Sequence, residues 1–127
     1  MCLLEELMKE KFIAYIGKKL TLIWYSDDRE KSEALEYFES LTPARKKKAA
    51  QLFLLLGDSG KIFNKEKFCY EGDQIYALKP QPDRFLCFFF DGSRVVITNA
   101  YEKKTNKIPP REKERALRAK ENYEKRF

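Results

Sequence analysis

The stretch Arg84-Phe85-Leu86-Cys87-Phe88-Phe89-Phe90, followed by Asp91-Gly92-Ser93 and then Arg94-Val95-Val96-Ile97-Thr98-Asn99-Ala100-Tyr101, constrains this chain more than any other. Asp-Gly between two such runs signals a tight hairpin, because glycine accepts the positive φ that the turn requires. The apolar run from Phe85 to Phe90 has no polar alternation, as expected of a strand covered on both faces. These residues are therefore expected to form the central hairpin of an antiparallel sheet.

Further strands are read in residues 61–64 (KIFN), 67–70 (KFCY) and 74–79 (QIYALK), separated by Glu71-Gly72-Asp73 and closed by Pro80-Gln81-Pro82-Asp83. Upstream, residues 12–16 and 20–26 read as two short strands around a turn at Gly17-Lys18-Lys19. Ser26-Asp27-Asp28, with Glu30 three residues after Asp27, has the form of a capping box opening a helix to about Leu41, with Ala34, Leu35, Phe38 and Leu41 on one face. Thr42-Pro43 caps a second helix, whose Ala49, Leu52, Phe53 and Leu56 face inward and which Gly57 is placed to stop. The first helix is acidic and the second begins Arg45-Lys46-Lys47-Lys48, so a helical hairpin is expected, with the lysine run read as a solvated face. Such cations are unfavourable near a helix N-terminus, which implies another reason for their presence. Ile108-Pro109-Pro110 ends strand geometry and introduces a terminal helix from about Arg111. The expected fold is α+β: an antiparallel sheet packed against an N-terminal helical hairpin, with a C-terminal helix. Residues 1–127 form one domain, with residues 1–10 a short helix or an extension the fold does not need.

A chain of 127 residues is too short to divide into two useful cores. Its net charge of +6 and pI of about 9.2 favour an anionic partner. Cys2, Cys69 and Cys87 form no CxxC, and the sequence has no histidine. A reducing compartment, no metal and no cofactor are expected. Charged residues interrupt the N-terminal apolar run, so no membrane span or signal core is read there and a cytoplasmic location is expected. Without histidine, serine-triad, papain-like and two-histidine nuclease chemistry are excluded. Lysine and arginine remain, and both can hold a phosphate and stabilise charge developing on it.

In a meander, Lys79 ends one strand, Arg84 begins the next, and Lys103 and Lys104 return to the same edge. Four cations brought together repel one another unless an anion lies between them, and RNA phosphate is the obvious candidate. Attack of a ribose 2′-OH on the adjacent phosphate needs an oxyanion-stabilising group, a role suited to arginine, and a group that takes the 2′ proton. A lysine with basic neighbours is a candidate for the second role. On the terminal helix, Arg111, Arg115 and Arg118 recur as a basic stripe beside a mostly apolar stripe of Ala116, Ala119, Lys120, Tyr123 and Phe127. Arg111, Arg115, Arg118, Lys120 and Tyr123 are the candidate RNA contacts, although Tyr123 fits a core position better.

Residues Ile75 to Lys79, Arg84 to Phe89, Asp91-Gly92, Asn99 to Lys104 and Pro109 together resemble the HigB-like, phage-derived branch of the RelE/ParE toxin superfamily. The shared pattern is a strand ending in a basic residue, a strand beginning with Arg, and a Gly-aromatic-x-Lys-Lys strand end followed by Pro and a helix containing Ala, here Ala116. Ala100 stands where Gly is common and Lys79 where Arg is frequent. Lysine keeps the charge but not the bidentate grip.

The resemblance implies a metal-independent mRNA endoribonuclease that acts at the ribosome and is held inactive by a cognate antitoxin of helix-turn-helix type. By position, Arg84 would bind or stabilise the phosphate, Lys103 and Lys104 would grip RNA, and Lys79 would assist, with the 2′ base left open. The alternatives are a gyrase-directed toxin on the same fold and a noncatalytic nucleic-acid-binding module.

Overall fold

A computed structural model describes residues 10–127; the short-helix reading of residues 1–10 and Cys2 fall outside it, except for Glu10, which opens a 3-10 turn at Glu10–Phe12. Strands β1 (Ile13–Ile16) and β2 (Thr21–Trp24) pair antiparallel as the turn at Gly17 predicts. Helices α1 (Glu33–Ser40) and α2 (Pro43–Ser59) follow, then strands β3 (Phe68–Tyr70), β4 (Tyr76–Leu78), β5 (Asp83–Phe90) and β6 (Arg94–Glu102), and helix α3 (Pro110–Arg126). The fold is α+β, with a six-stranded sheet in the order β1-β2-β6-β5-β4-β3.

Two features of the expected architecture are corrected. The sheet is mixed, because β2 lies parallel to β6, with Leu22 opposite Val95 and Trp24 opposite Ile97. The helices are not N-terminal; they are inserted between β2 and β3, and with β3 to β5 they make up the long connection from β2 to its parallel partner β6. Each packs its apolar face on the sheet, where Trp24, Phe38, Phe53 and Phe85 form one aromatic cluster with centroids 5.3–6.4 Å apart. Such pairs contribute about 0.5–1.5 kcal/mol each beyond area burial. Helix α3 covers the other face through Ala116 and Tyr123, over Leu86, Phe88 and Val96. β5 is thus enclosed on both sides, as its unbroken apolar run implies.

Local boundaries differ where a side chain claims the backbone. Asp27 does not cap a helix: its carboxylate accepts from the N–H of Arg29 at 2.8 Å and of Lys31 at 3.0 Å, and Glu30 has φ 60°. The cap is Ser32, whose hydroxyl accepts from Leu35 N–H, so α1 starts at Glu33. Thr42 and Pro43 open α2 as expected. Gly57 does not end it; Gly60 does, at φ 82°, with its N–H on Leu56 O. Residues 61–64 are not a strand. The Asn64 carbonyl accepts from Lys67 and Phe68 N–H, and its side chain accepts from Glu66 N–H, which bends the chain there. The hairpin turn at Asp91 and Gly92 forms with φ 50° and 77°.

Candidate functional site: a cationic rim of the sheet

The ends of β4 and β6 and the start of β5 meet at one rim. Leu78 pairs with Phe85, which sets Lys79 beside Arg84; Arg84 pairs with Tyr101; and Lys103 N–H donates to Pro82 O at 2.9 Å. Lys79, Arg84 and Lys103 therefore lie at one end of the sheet, with exposed Lys104 next to them. A bulge determines which β6 residue joins Arg84. Leu86 pairs with Asn99 but Cys87 pairs with Ile97, leaving Thr98 as the extra residue. Without that residue Ala100 would lie opposite Arg84. With it, Tyr101 shares Arg84's face, the one covered by α3.

Arg84 is 8% exposed. It donates to Gln81 Oε1 at 3.0 Å and to the Asp83 carbonyl at 3.3 Å. Both acceptors are neutral, and among the described residues no carboxylate forms an ion pair with it. Asp83 points to the opposite face, where Tyr37 and Arg45 donate to it; Arg45 also lies 3.6 Å from Glu102. Asp91 is taken by Arg94 at 2.8 Å. Neither Asp83 nor Asp91 neutralises Arg84.

Around Arg84 the titrations are shifted. Burial, then the charge of Glu71, pushes the Tyr101 hydroxyl up to about 12 against the opposing pull of Arg84, with Glu112 adding to the rise. Burial raises the Cys69 thiol, opposed by the Lys79 ammonium beside it. Lys79 Nζ also donates to Lys65 O at 3.2 Å. Lys103 and Lys104 have no ion pair among the described residues. Sequence reasoning missed Gln81 and Tyr101: the first lies in a loop read only as a turn, and the second depends on the bulge at Thr98.

The terminal-helix candidates separate. Arg115 and Arg118 line a cleft of about 410 Å³ with Tyr25, Lys31 and Asn99, and Arg115 pairs with Glu33 at 3.1 Å. Arg111 is exposed at the start of α3. Lys120 is bound to Glu124 at 3.0 Å and lies 5.9 Å from the Phe88 ring, outside the rim. Tyr123 is a core residue, 3% exposed, stacked on Phe127 and hydrogen-bonded to Arg94 at 2.8 Å. Among the described residues no group of three or more His, Cys, Asp or Glu side chains is arranged to hold a metal ion, and no helix is long and apolar enough to cross a membrane.

Comparison with curated proteins found no match. The family model described as Phage derived protein Gp49-like (DUF891) matches residues 36–121, from within α1 through most of α3, and so includes every element of the rim. With about two thirds of its length matched, the chain belongs to the Gp49-like family of phage-derived proteins.

Proposed function

We propose that this protein is the toxin of a type II toxin–antitoxin pair, a HigB-like member of the RelE/ParE superfamily that cuts ribosome-associated mRNA without a metal. The reading rests on membership of a phage-derived family associated with that toxin type and on one observation above all: Arg84 is buried among neutral acceptors with no carboxylate paired to it among the described residues. A buried, unpaired cation is unfavourable, and a phosphate oxygen at that position removes the penalty. In the proposed reaction the ribose 2′-oxygen gives up its proton and bonds to the adjacent phosphorus as the bond to the 5′-oxygen breaks, and the departing 5′-oxygen takes up a proton. This leaves a 2′,3′-cyclic phosphate and a 5′-hydroxyl. Arg84 stabilises the charge on the pentacovalent phosphorus, Lys103 and Lys104 hold the strand, and Lys79 assists. The cognate antitoxin, of helix-turn-helix type, neutralises the rim.

Induced expression followed by mapping of transcript ends tests the assignment. Wild-type protein is expected to arrest growth and produce new 5′ ends, whereas Arg84→Ala loses at least about 100-fold of the cleavage rate. Full cleavage by a folded Arg84→Ala protein would overturn the assignment. So would growth arrest by gyrase poisoning without new transcript ends. A purely noncatalytic binder would instead show graded, salt-dependent loss of affinity.

A further inference from the structure

The cleft of about 410 Å³ opens between α3 and the segment that joins β2 to α1. Its floor is β6, where Thr98, the residue added by the bulge, and Asn99 are 3% and 2% exposed. Ala119 and the ring of Tyr25 supply the apolar part of the wall. The volume is that of a site for a small molecule or for one unit of a longer chain.

The charges around this cleft do not cancel. Asp27 is committed to backbone: its carboxylate accepts from Arg29 and Lys31 N–H, and its own N–H donates to Lys31 O at 2.9 Å. That ring of hydrogen bonds holds Lys31 beside the cleft, and its ammonium has no ion pair among the described residues. Glu33 is taken by Arg115 at 3.1 Å. Arg118 has Glu114 and Glu121 one turn to either side of it on α3. Among the described residues it pairs with neither; Glu121 takes Lys125 at 3.3 Å, and Arg118 lines the cleft instead.

The side-chain amide of Asn122 adds a neutral donor. Its oxygen accepts from the Tyr25 hydroxyl at 2.9 Å and from Arg126 at 3.0 Å, and because arginine only donates, the oxygen is fixed on that side. The amide nitrogen is left with no acceptor among the described residues. Lys31, Arg118 and Asn122 thus bring donors to one opening whose two carboxylates are already engaged, the pattern that recognises an anion. The floor offers the converse. The Thr98 hydroxyl gives its proton to Asn99 Oδ1 at 2.6 Å and keeps lone pairs to accept with.

We propose that this cleft binds a nucleotide, with its phosphate between Lys31 and Arg118 and its base against the Tyr25 ring. The Thr98 hydroxyl accepts from a donor on the sugar or base. Arg115 joins the phosphate by leaving Glu33, since a solvent-exposed pair holds it only weakly. The nucleotide is free or is one unit of an RNA strand, and the chemistry of recognition is the same. The site is defined by binding alone and stands apart from the cleavage reading.

The test is amide NMR of the full chain titrated with AMP. A Kd of about 1 mM or better is expected, read from shifts at residues 25–33, 98–99 and 115–122. Arg118→Gln and Lys31→Gln, both at exposed positions, are each expected to weaken binding about fivefold or more. Lys18→Gln, exposed in the β1–β2 turn, is expected to leave it unchanged. A 2′-O-methyl RNA hexanucleotide, which has no free 2′-hydroxyl to attack with, identifies the source. A lower Kd than AMP at the same residues assigns the site to an RNA strand, and a higher one assigns it to a free nucleotide. No shift in the cleft with either probe would overturn the proposal. So would equal binding of adenosine, or equal binding of inorganic phosphate, which would mean an adventitious ion only. Because neither probe is cut, these outcomes leave the nuclease reading untouched.

Discussion

Because successive side chains of a strand leave on opposite faces, Asp83 and Arg84 meet different halves of the molecule. Asp83, 1% exposed, is bound by Tyr37 from α1 and Arg45 from α2, and so ties both helices to the start of β5. The position of Arg45 in the first turn of α2, unfavourable with the helix dipole, is explained by this carboxylate. Arg84 donates only to Gln81 Oε1 and the Asp83 carbonyl, with no carboxylate partner among the described residues. The two residues should therefore separate in experiment. Asp83→Ala leaves the Tyr37 hydroxyl without its acceptor and Arg45 with only Glu102, 3.6 Å away, and is expected to lower stability by about 2–3 kcal/mol, read from the denaturant midpoint. Arg84→Ala removes a buried charge with no counter-ion among the described residues and is expected to leave the midpoint near that of wild type while cleavage is lost. A shared loss of stability in both variants would show that Arg84 is structural.

At the scale of elements, the β1–β2 turn is held to α2 by contact between two glycines. Lys19 and Leu20 N–H both donate to Gly57 O, at 2.8 and 2.9 Å. A Cβ on Gly17 would lie 2.2 Å from the Gly57 carbonyl carbon, a backbone atom that cannot give way. Gly17→Ala is thus expected to push the hairpin off the helix, break both hydrogen bonds and destabilise the chain by about 3 kcal/mol in chemical denaturation. An unchanged midpoint would show that the turn is not seated on α2 as described. The same contact explains a misread boundary. Gly57 looked like a helix stop because glycine commonly is one, whereas its requirement here is close approach and the stop is Gly60. Sequence pattern located β1, β2, β5, β6, α2 and α3 because apolar periodicity and caps are local signals. It failed at residues 61–64 and at the start of α1, where Asn64 and Asp27 divert backbone hydrogen bonds into turns that compete with the predicted element.

For the whole molecule, the parallel pairing of β2 with β6 was not legible, since nothing in either strand encodes which distant strand it will join or in which direction. The meander from β3 to β6 was legible, and with it the gathering of Lys79, Arg84 and Lys103 at one rim. The burial of Arg84, the bulge that brings Tyr101 opposite it, and the loss of Asp83 to Arg45 depend on packing between elements far apart in sequence. That packing also makes a prediction about pH. The hydroxyls of Tyr25, Tyr37, Tyr101 and Tyr123 are raised above the ordinary 10.0, chiefly by burial, and that of Tyr15 is raised chiefly by its hydrogen bond to Asp58. A phenol that ionises more readily in the unfolded chain than in the fold supports the fold fully below pH 10.0, and this support is lost as pH rises through its folded value. The acid arm has the opposite sign. Asp27, held low by the Lys31 N–H, and Asp91, held low by the Ser93 hydroxyl, stabilise the fold above 3.8, and this contribution is lost as pH falls through their folded values. The thermal midpoint is therefore expected to be level near neutrality and to fall between pH 10.0 and about 12, the value reached by Tyr101. Tyr101→Phe should flatten part of that fall without changing the acid arm; an alkaline profile identical to wild type would mean that the half-buried setting of the Tyr101 hydroxyl does not raise its titration.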